Sequence, residues 1–542
     1  MKTPSFTLSF TIQRSRLVAI HHWFEKHAAT LVLFLLTTFS TLGFIFYYLN
    51  GLGLAYNDAR SHLDIGRRVV EGLKPGLAQL GSVWLPLPHI LMAPTVWNDF
   101  MWHSGLAGAI QSMASFVATA LLIYAFLRKL GIGMLGRLLA VAVFTANLNI
   151  LYLQSTAMTE LLLTATMLAG VYQLLVWFTE ERIQNLISAG LWIMLSSLVR
   201  YEGWFLLFFA SLLVIFYTWR KKGYKVTEGT YILFATLAGL GIALWLLWNA
   251  LIFKDPFYFS FGPYSARAQQ EQLEQAGVLA TKGDLFLSLK IYLLALVYNS
   301  YAFNAFLGLL GAILFWTDKK LKTGVKVVSL LLLAPLLFNI LALYLGHSVL
   351  FIQGVSGNTW FNVRYGAMMV PSIAIFMGYL VHRLKDLRWV LIGLFAFVTF
   401  FALANGDAVT IDDARVGSSQ KNVSEISGYL NSHAKDEKGF ILISAASHDA
   451  IIFSSGLPMK RFIHEGTGAY WESATTSPDR WARWIVARTH DDNDLTWKAV
   501  SKVPTFFEAY TLVAKYPFAD VYELNPEFFG NLIKEPVLGK LK

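Results

Sequence analysis

The chain has 542 residues, of which 56% are hydrophobic, 14% are charged and none is cysteine. A soluble domain carries about 25% charged residues, so most of this surface faces something other than water, and a string of ordinary soluble domains is excluded. The formal net charge of +10 is scattered between apolar runs, as in membrane loops; no nucleic-acid partner is expected. Without cysteine there is no disulfide and no thiolate metal site.

The N-terminal segment 1–27 is basic (Lys2, Arg14, Arg16, Lys26). The apolar run that follows is too long for a signal-peptide core and has no small-residue cleavage site, so it reads as an uncleaved first span. A helix needs about 20 apolar residues to cross the hydrocarbon core. Runs at 28–48, 104–127, 138–153, 157–178, 186–199, 204–219, 231–253, 285–316, 327–345, 365–381 and 389–404 give about eleven spans, and 285–316 is long enough to include an interfacial piece. Arg128–Lys129, Arg182, Arg220–Lys222, Lys319–Lys322 and Arg383–Arg388 fall in every second loop and mark the cytoplasmic side together with the N-terminus. An odd number of spans then puts the C-terminus outside. The first outer loop, with Arg60, Arg67, Arg68 and Lys74, breaks the charge rule.

That loop opens Tyr56-Asn57-Asp58-Ala59-Arg60-Ser61-His62. Asp58 is placed to cap a helix. Arg60/Asp64, Asp64/Arg68 and Arg67/Glu71 have i,i+4 spacing for ion pairs. The plain reading is an amphipathic helix in the interface. Gln79 to His89, with two prolines and Trp84, reads as a rigid loop at headgroup level, with Trp84 an interface anchor. Glu160 opens the fourth run at its outer boundary, where an ionisable group is costly; it is either a wet helix-start carboxylate or functional. Arg200 and Glu202 sit at the next outer turn, where a reversal at Gly203 lets them pair. Arg364, before Tyr365, is a lone cation that either holds a phosphate or snorkels. Asp58, Glu160, Arg200, Glu202 and Arg364 thus lie at outer ends of different spans. If those ends converge they form a pocket of carboxylates and guanidinium groups suited to a phosphorylated lipid.

The segment 254–284 reads as a mobile outer loop. From 405 to 542 the chain turns polar and reads as a small outer α/β domain, with strands at 440–444 and 450–453 and helices at 423–433 and 479–488. Asp491-Asp492-Asn493-Asp494 reads as a solvated turn. Asn422-Val423-Ser424 is a glycosylation sequon of little weight. His448, His464 and His490 lack metal-ligand spacing. No glycine-rich phosphate loop is present, so a nucleotide-sugar donor is not expected.

At these residues the sequence resembles the GT-C superfamily of polytopic glycosyltransferases. It is most similar to the family 39-like branch related to protein O-mannosyltransferases and the lipid A aminoarabinose transferase, over residues 28–404. Members carry an acidic pair after the first span; here Asp58 matches and Ala59 replaces the second acid. Thr159-Glu160 resembles the second acidic position, and Arg200-Tyr201-Glu202-Gly203 the Arg-x-Glu-Gly turn. The resemblance implies a mainly α, GT-C-like membrane domain at 28–404 and an outer domain at 405–542 that helps to bind acceptor. It also implies inverting sugar transfer from a polyprenyl phosphate to a hydroxyl of a glycan, lipid or protein at the outer face of a plasma membrane, bacterial by the branch it resembles. Asp58 would be the base and Glu160 its catalytic companion. His62, Arg200, Glu202, Arg364 and Tyr365 would bind substrate, with Arg364, aided by Arg200, steadying the leaving phosphate. No cofactor or metal is expected, though members differ on a divalent ion. The rival classes are a lipid or glycolipid transporter, against which stand the one-sided charges and the lack of repeats, and a non-catalytic scaffold.

Overall fold

The computed structural model describes residues 14–262, 265–275, 277–416 and 420–537. Residues 1–13 of the basic N-terminal segment, and the side chain of sequon residue Asn422, lie outside the described residues.

Eight of the eleven apolar runs are helices long and apolar enough to cross a membrane: Thr30–Leu49, Leu106–Lys129, Glu160–Glu180, Glu202–Lys222, Tyr224–Phe253, Thr323–Tyr344, Val363–Arg383 and Lys385–Arg415. The chain is an integral, multi-pass membrane protein. The remaining three runs depart from simple spans. The run at 285–316 breaks at Tyr301, which takes φ 66°, into Leu285–Ser300 and Ala302–Thr317, bent by 108°. The run at 138–153 is interrupted because Asn147 caps a new short helix, its side chain accepting from the backbone N–H groups of Asn149 and Ile150. The run at 186–199 becomes a 15-residue helix, Ile183–Ser197, shorter than a full crossing needs.

Helix contact relies on small residues, as expected where lipid is as apolar as leucine and close packing must drive association. The Ala302–Thr317 helix lies against Val370–Arg383. There, a Cβ on Gly311 would meet the Phe376 carbonyl oxygen at 2.2 Å. At Gly366 the same atom would meet the Ala295 carbonyl oxygen, also at 2.2 Å.

The C-terminal part carries a five-stranded sheet in the order β2-β1-β3-β5-β4, built from β1 (Phe440–Ile443), β2 (Phe462–Ile463), β3 (Ala482–Ala487), β4 (Tyr510–Lys515) and β5 (Asp520–Leu524). β1 runs parallel to β2 and β3, while β5 runs antiparallel to β3 and β4. Two local assignments are reversed. Residues 450–453 belong to a helix, Ala445–Ser455, and residues 482–487 of the expected helix 479–488 form β3. Residues 450–453 are all buried, and in β3 every residue but Arg483 is. An apolar run buried all round has no periodicity to separate helix from strand. The segment 254–284 contains two helices, Tyr258–Phe261 and Ala266–Gln275.

The Asn57–Val70 helix is wedged between the two parts. It packs on the Leu87–Val96 helix on one side and on Ala445–Ser455 on the other. The amphipathic interface helix expected here is therefore an internal one, with eight of its residues buried.

Gly311→Ala is expected to destabilise the purified protein by about 1–3 kcal/mol through overpacking. Gly229→Ala, where an added Cβ meets nothing within 4 Å, should be neutral or slightly stabilising. Thermal melting in detergent distinguishes the two.

Candidate active site

Asp58 follows the first span, Glu160 opens the Glu160–Glu180 helix, Arg200 and Glu202 flank the next reversal, and Arg364 lies in the first turn of Val363–Arg383. The fold brings all five together. Arg364 is the hub: its Nη2 donates to Asp58 Oδ2 at 2.5 Å and its Nε to Glu160 Oε1 at 2.9 Å. Asp413 stands 3.9 Å from its Nη1. The guanidinium also lies over the rings of Tyr56 at 4.8 Å and Tyr365 at 5.3 Å. The lone cation expected from the sequence is thus fully partnered, and it is only 4% exposed. It neither snorkels nor faces lipid.

Arg200 forms a second bridge. Its Nη2 lies 3.2 Å from Glu202 Oε1 and its Nη1 3.5 Å from Glu160 Oε1, and its guanidinium sits 4.9 Å from the Tyr365 ring centroid. The Arg200–Glu202 pair needs a sharp turn, and Gly203 allows it, because a Cβ there would meet the Ser196 carbonyl oxygen at 2.4 Å. The carboxylates of the two glutamates are buried, whereas the Asp58 side chain is 43% exposed and that of Arg200 19%. The open groups face a cavity of about 890 Å³ whose wall includes Asp58, His62, Arg200, Glu202, Arg364 and Tyr365.

Several readings of the first loop change. Asp58 lies inside the first turn, and the cap position belongs to Tyr56, which makes no side-chain cap bond. Of the three i,i+4 pairs, Arg67–Glu71 forms. Arg60 instead donates to the Leu54 carbonyl and to Ser454 Oγ, and Asp64 accepts from Trp102 Nε1. Arg67 also binds Asp99 and the Val96 carbonyl. Two of the four basic residues that broke the charge rule, Arg60 and Arg67, are thus consumed inside the protein. Trp84 is no simple anchor, for its ring lies 4.3 Å from that of His62 and lines the cavity.

Sequence reasoning missed Tyr56, His89, Asp413 and Asp449. Tyr56 Oη donates to Asp413 Oδ2 at 3.0 Å, Ser61 Oγ to Asp449 Oδ1 at 2.7 Å, and His62 Nδ1 lies 2.9 Å from His89 Nε2. Asp413 and Asp449 come from beyond residue 404, so no local spacing links them to the first loop. In the C-terminal part, Asp494 leaves the expected solvated turn. It is 1% exposed, meets His448 Nε2 at 2.7 Å and caps a helix through the Trp497 N–H. Among the described residues no group of three or more His, Asp or Glu side chains is arranged to hold a metal ion.

Burial, reinforced by Arg200 and Arg364, lowers His62 to about 3. Burial, reinforced by Arg68, lowers His464 to about 3. Both are neutral in the folded protein near pH 7, while an unfolded histidine protonates near 6.5. The unfolded chain therefore binds more protons as pH falls below about 6.5, and stability drops with it. Asp449 and Glu465, raised by burial, act with the opposite sign, so the informative comparison is variant against parent. His464→Gln should lose less stability than the parent between about pH 6.5 and 4, by about 1.4 kcal/mol per pH unit. Equal pH slopes in melting experiments would show that His464 protonates while folded.

No family model and no curated protein matches the sequence. Solved structures do match. ArnT from Cupriavidus metallidurans bound to undecaprenyl phosphate has a TM-score of 0.53 at 10% identity, covering 90% of this chain and 98% of that one. The same protein in the apo state has a TM-score of 0.52 at 11% identity, covering 92% and 99%. The Archaeoglobus fulgidus oligosaccharyltransferase, tethered to an acceptor peptide, has a TM-score of 0.49 at 11% identity, covering 93% and 75%. At such identities the likeness to ArnT is one of fold, and it extends over nearly the whole of both chains. Eight apolar helices, a small C-terminal sheet and an acid–guanidinium cluster at the helix tips are thus set in a membrane fold that this chain shares with ArnT.

Proposed function

We propose that the chain is an inverting glycosyltransferase that moves a sugar from a polyprenyl phosphate to an acceptor hydroxyl at the exoplasmic face. The observation that carries this reading is the linked pair of bridges, Asp58–Arg364–Glu160–Arg200–Glu202, opening into one cavity. The undecaprenyl phosphate bound by ArnT, a protein of the same fold, supports the lipid-linked donor.

Asp58 is the exposed carboxylate of the set and serves as general base. It takes the proton of the acceptor hydroxyl as that oxygen bonds to the anomeric carbon. The carbon–oxygen bond to phosphate breaks with its electron pair staying on the phosphate, and the anomeric centre inverts. Arg200, the more exposed guanidinium, meets the developing phosphate charge. Arg364 orients Asp58 and adds its charge from behind. Glu160 fixes both arginines, Glu202 fixes Arg200, and neutral His62 and Tyr365 hold substrate groups on the wall. The reading assigns no cofactor.

Asp58→Asn keeps the size of the side chain and one acceptor oxygen for Arg364. It should lower turnover by about 10²–10⁴-fold, read as release of undecaprenyl phosphate from undecaprenyl-phosphate-linked sugars by the purified chain. Undiminished turnover in this variant would remove Asp58 as base; no turnover by the parent protein with any such donor would remove the transferase reading.

A further inference from the structure

The cavity extends well beyond Asp58. Asp58, Ser61, His62, Ile65 and Arg68 all line it. Offsets of 3, 4, 7 and 10 residues put them within an arc of about 120° on one helix face, and ten residues span about 15 Å. The wall also includes Gln79, Trp84, Asp449, His464 and Glu465, so the C-terminal part supplies one side of it.

Arg67, Arg200 and Arg364 each close an ion pair, and Arg68 does not. Its buried Nε has no partner, and among the described residues no carboxylate closes an ion pair with it. The acids nearby each have another partner, although Asp64 Oδ2 has none. Asp64 accepts from Trp102 and Asp449 from Ser61. Glu465 accepts from the backbone N–H groups of Ala445 and Ala446 at 2.9 and 2.6 Å. Burial raises all three acids above the ordinary carboxylate range, against the pull of the Arg68 charge. A half-buried guanidinium whose neighbouring carboxylates stop short of an ion pair leaves its N–H donors open to an arriving oxyanion.

We propose that Arg68 anchors a second, anion-binding subsite, which holds a phosphate or carboxylate of the acceptor while a hydroxyl of the same molecule lies at Asp58, about 15 Å away. This rests on the transferase reading and narrows it. The acceptor is an acidic, hydroxyl-bearing molecule, an acidic glycan or a phosphorylated glycolipid, in place of a neutral sugar. The guanidinium fork suits such an oxyanion.

The test is direct binding to the full-length chain in detergent, with glucose 6-phosphate as probe and glucose as its neutral control. Glucose 6-phosphate should bind and glucose should not. Arg68→Ala should weaken glucose 6-phosphate by about tenfold or more, with Arg68→Lys falling between. Asp449→Asn, which removes a neighbouring acid and keeps an acceptor for Ser61, should tighten it several-fold. That gain of binding cannot come from misfolding. Displacement of the probe in nanodiscs containing phosphatidylglycerol, but not in phosphatidylcholine alone, assigns the anion to a lipid headgroup; retention in both assigns it to a soluble glycan. Equal binding of glucose and glucose 6-phosphate, or an Arg68→Ala variant that binds as the parent does, overturns the subsite. Because no turnover is measured, loss of the transferase reading leaves this result intact, and the reverse also holds.

Discussion

A guanidinium buried at the tips of several apolar helices must be paired or it unfolds the site. Arg364 meets this condition with carboxylates from three distant parts of the chain: Asp58 after the first span, Glu160 at the start of another, and Asp413 in the Val409–Val416 helix. Each carboxylate would be costly there by itself. Together they fix the relative positions of the helices that carry them, and the surroundings of Arg200 and Glu202 follow from the shared contact with Glu160. The geometry that makes the cluster chemically useful is also what makes it tolerable in an apolar setting.

The same ties recruit the C-terminal part. The Asn57–Val70 helix holds Asp58 at one end and Arg68 at the other, and it is gripped from above through Ser61–Asp449 and Arg60–Ser454. Tyr56 reaches Asp413 and the Thr410 carbonyl. Asn149 accepts from Thr410 at both its N–H and its hydroxyl. The cavity wall is therefore shared between membrane helices and the C-terminal part.

The large features were legible because they rest on long windows. Eleven apolar runs were visible, and every one is helical in whole or in part; Tyr301 and Asn147, single residues that break or restart a helix, changed the outlines of two, and a third makes a helix of 15 residues. Asp58, Glu160, Arg200, Glu202 and Arg364 stood out because all lie at outer ends of different spans; their convergence was the condition on which a pocket depended, and the fold meets it. What escaped was what depends on distant contacts. Nothing near Asp413 or Asp449 announces that they face residues some 350 to 390 positions earlier. Asp494 looks like a turn residue until its buried contact with His448 is seen. Residues 450–453 and, Arg483 apart, 482–487 are buried, which removes most of the alternation that tells a strand from a helix. Asp58 was misread as a cap because an acid at a helix start has the same local signature whether it binds its own backbone or a remote arginine.

Asp413 also bears on how the molecule can be taken apart. A fragment ending at residue 404 would keep every apolar run, yet it would strip Arg364 of one acidic neighbour and leave the Tyr56 hydroxyl without either of its acceptors. The Val409–Val416 helix is a wedge beside the chamber, and swapping it between relatives would exchange part of the site's support as well as whatever follows it.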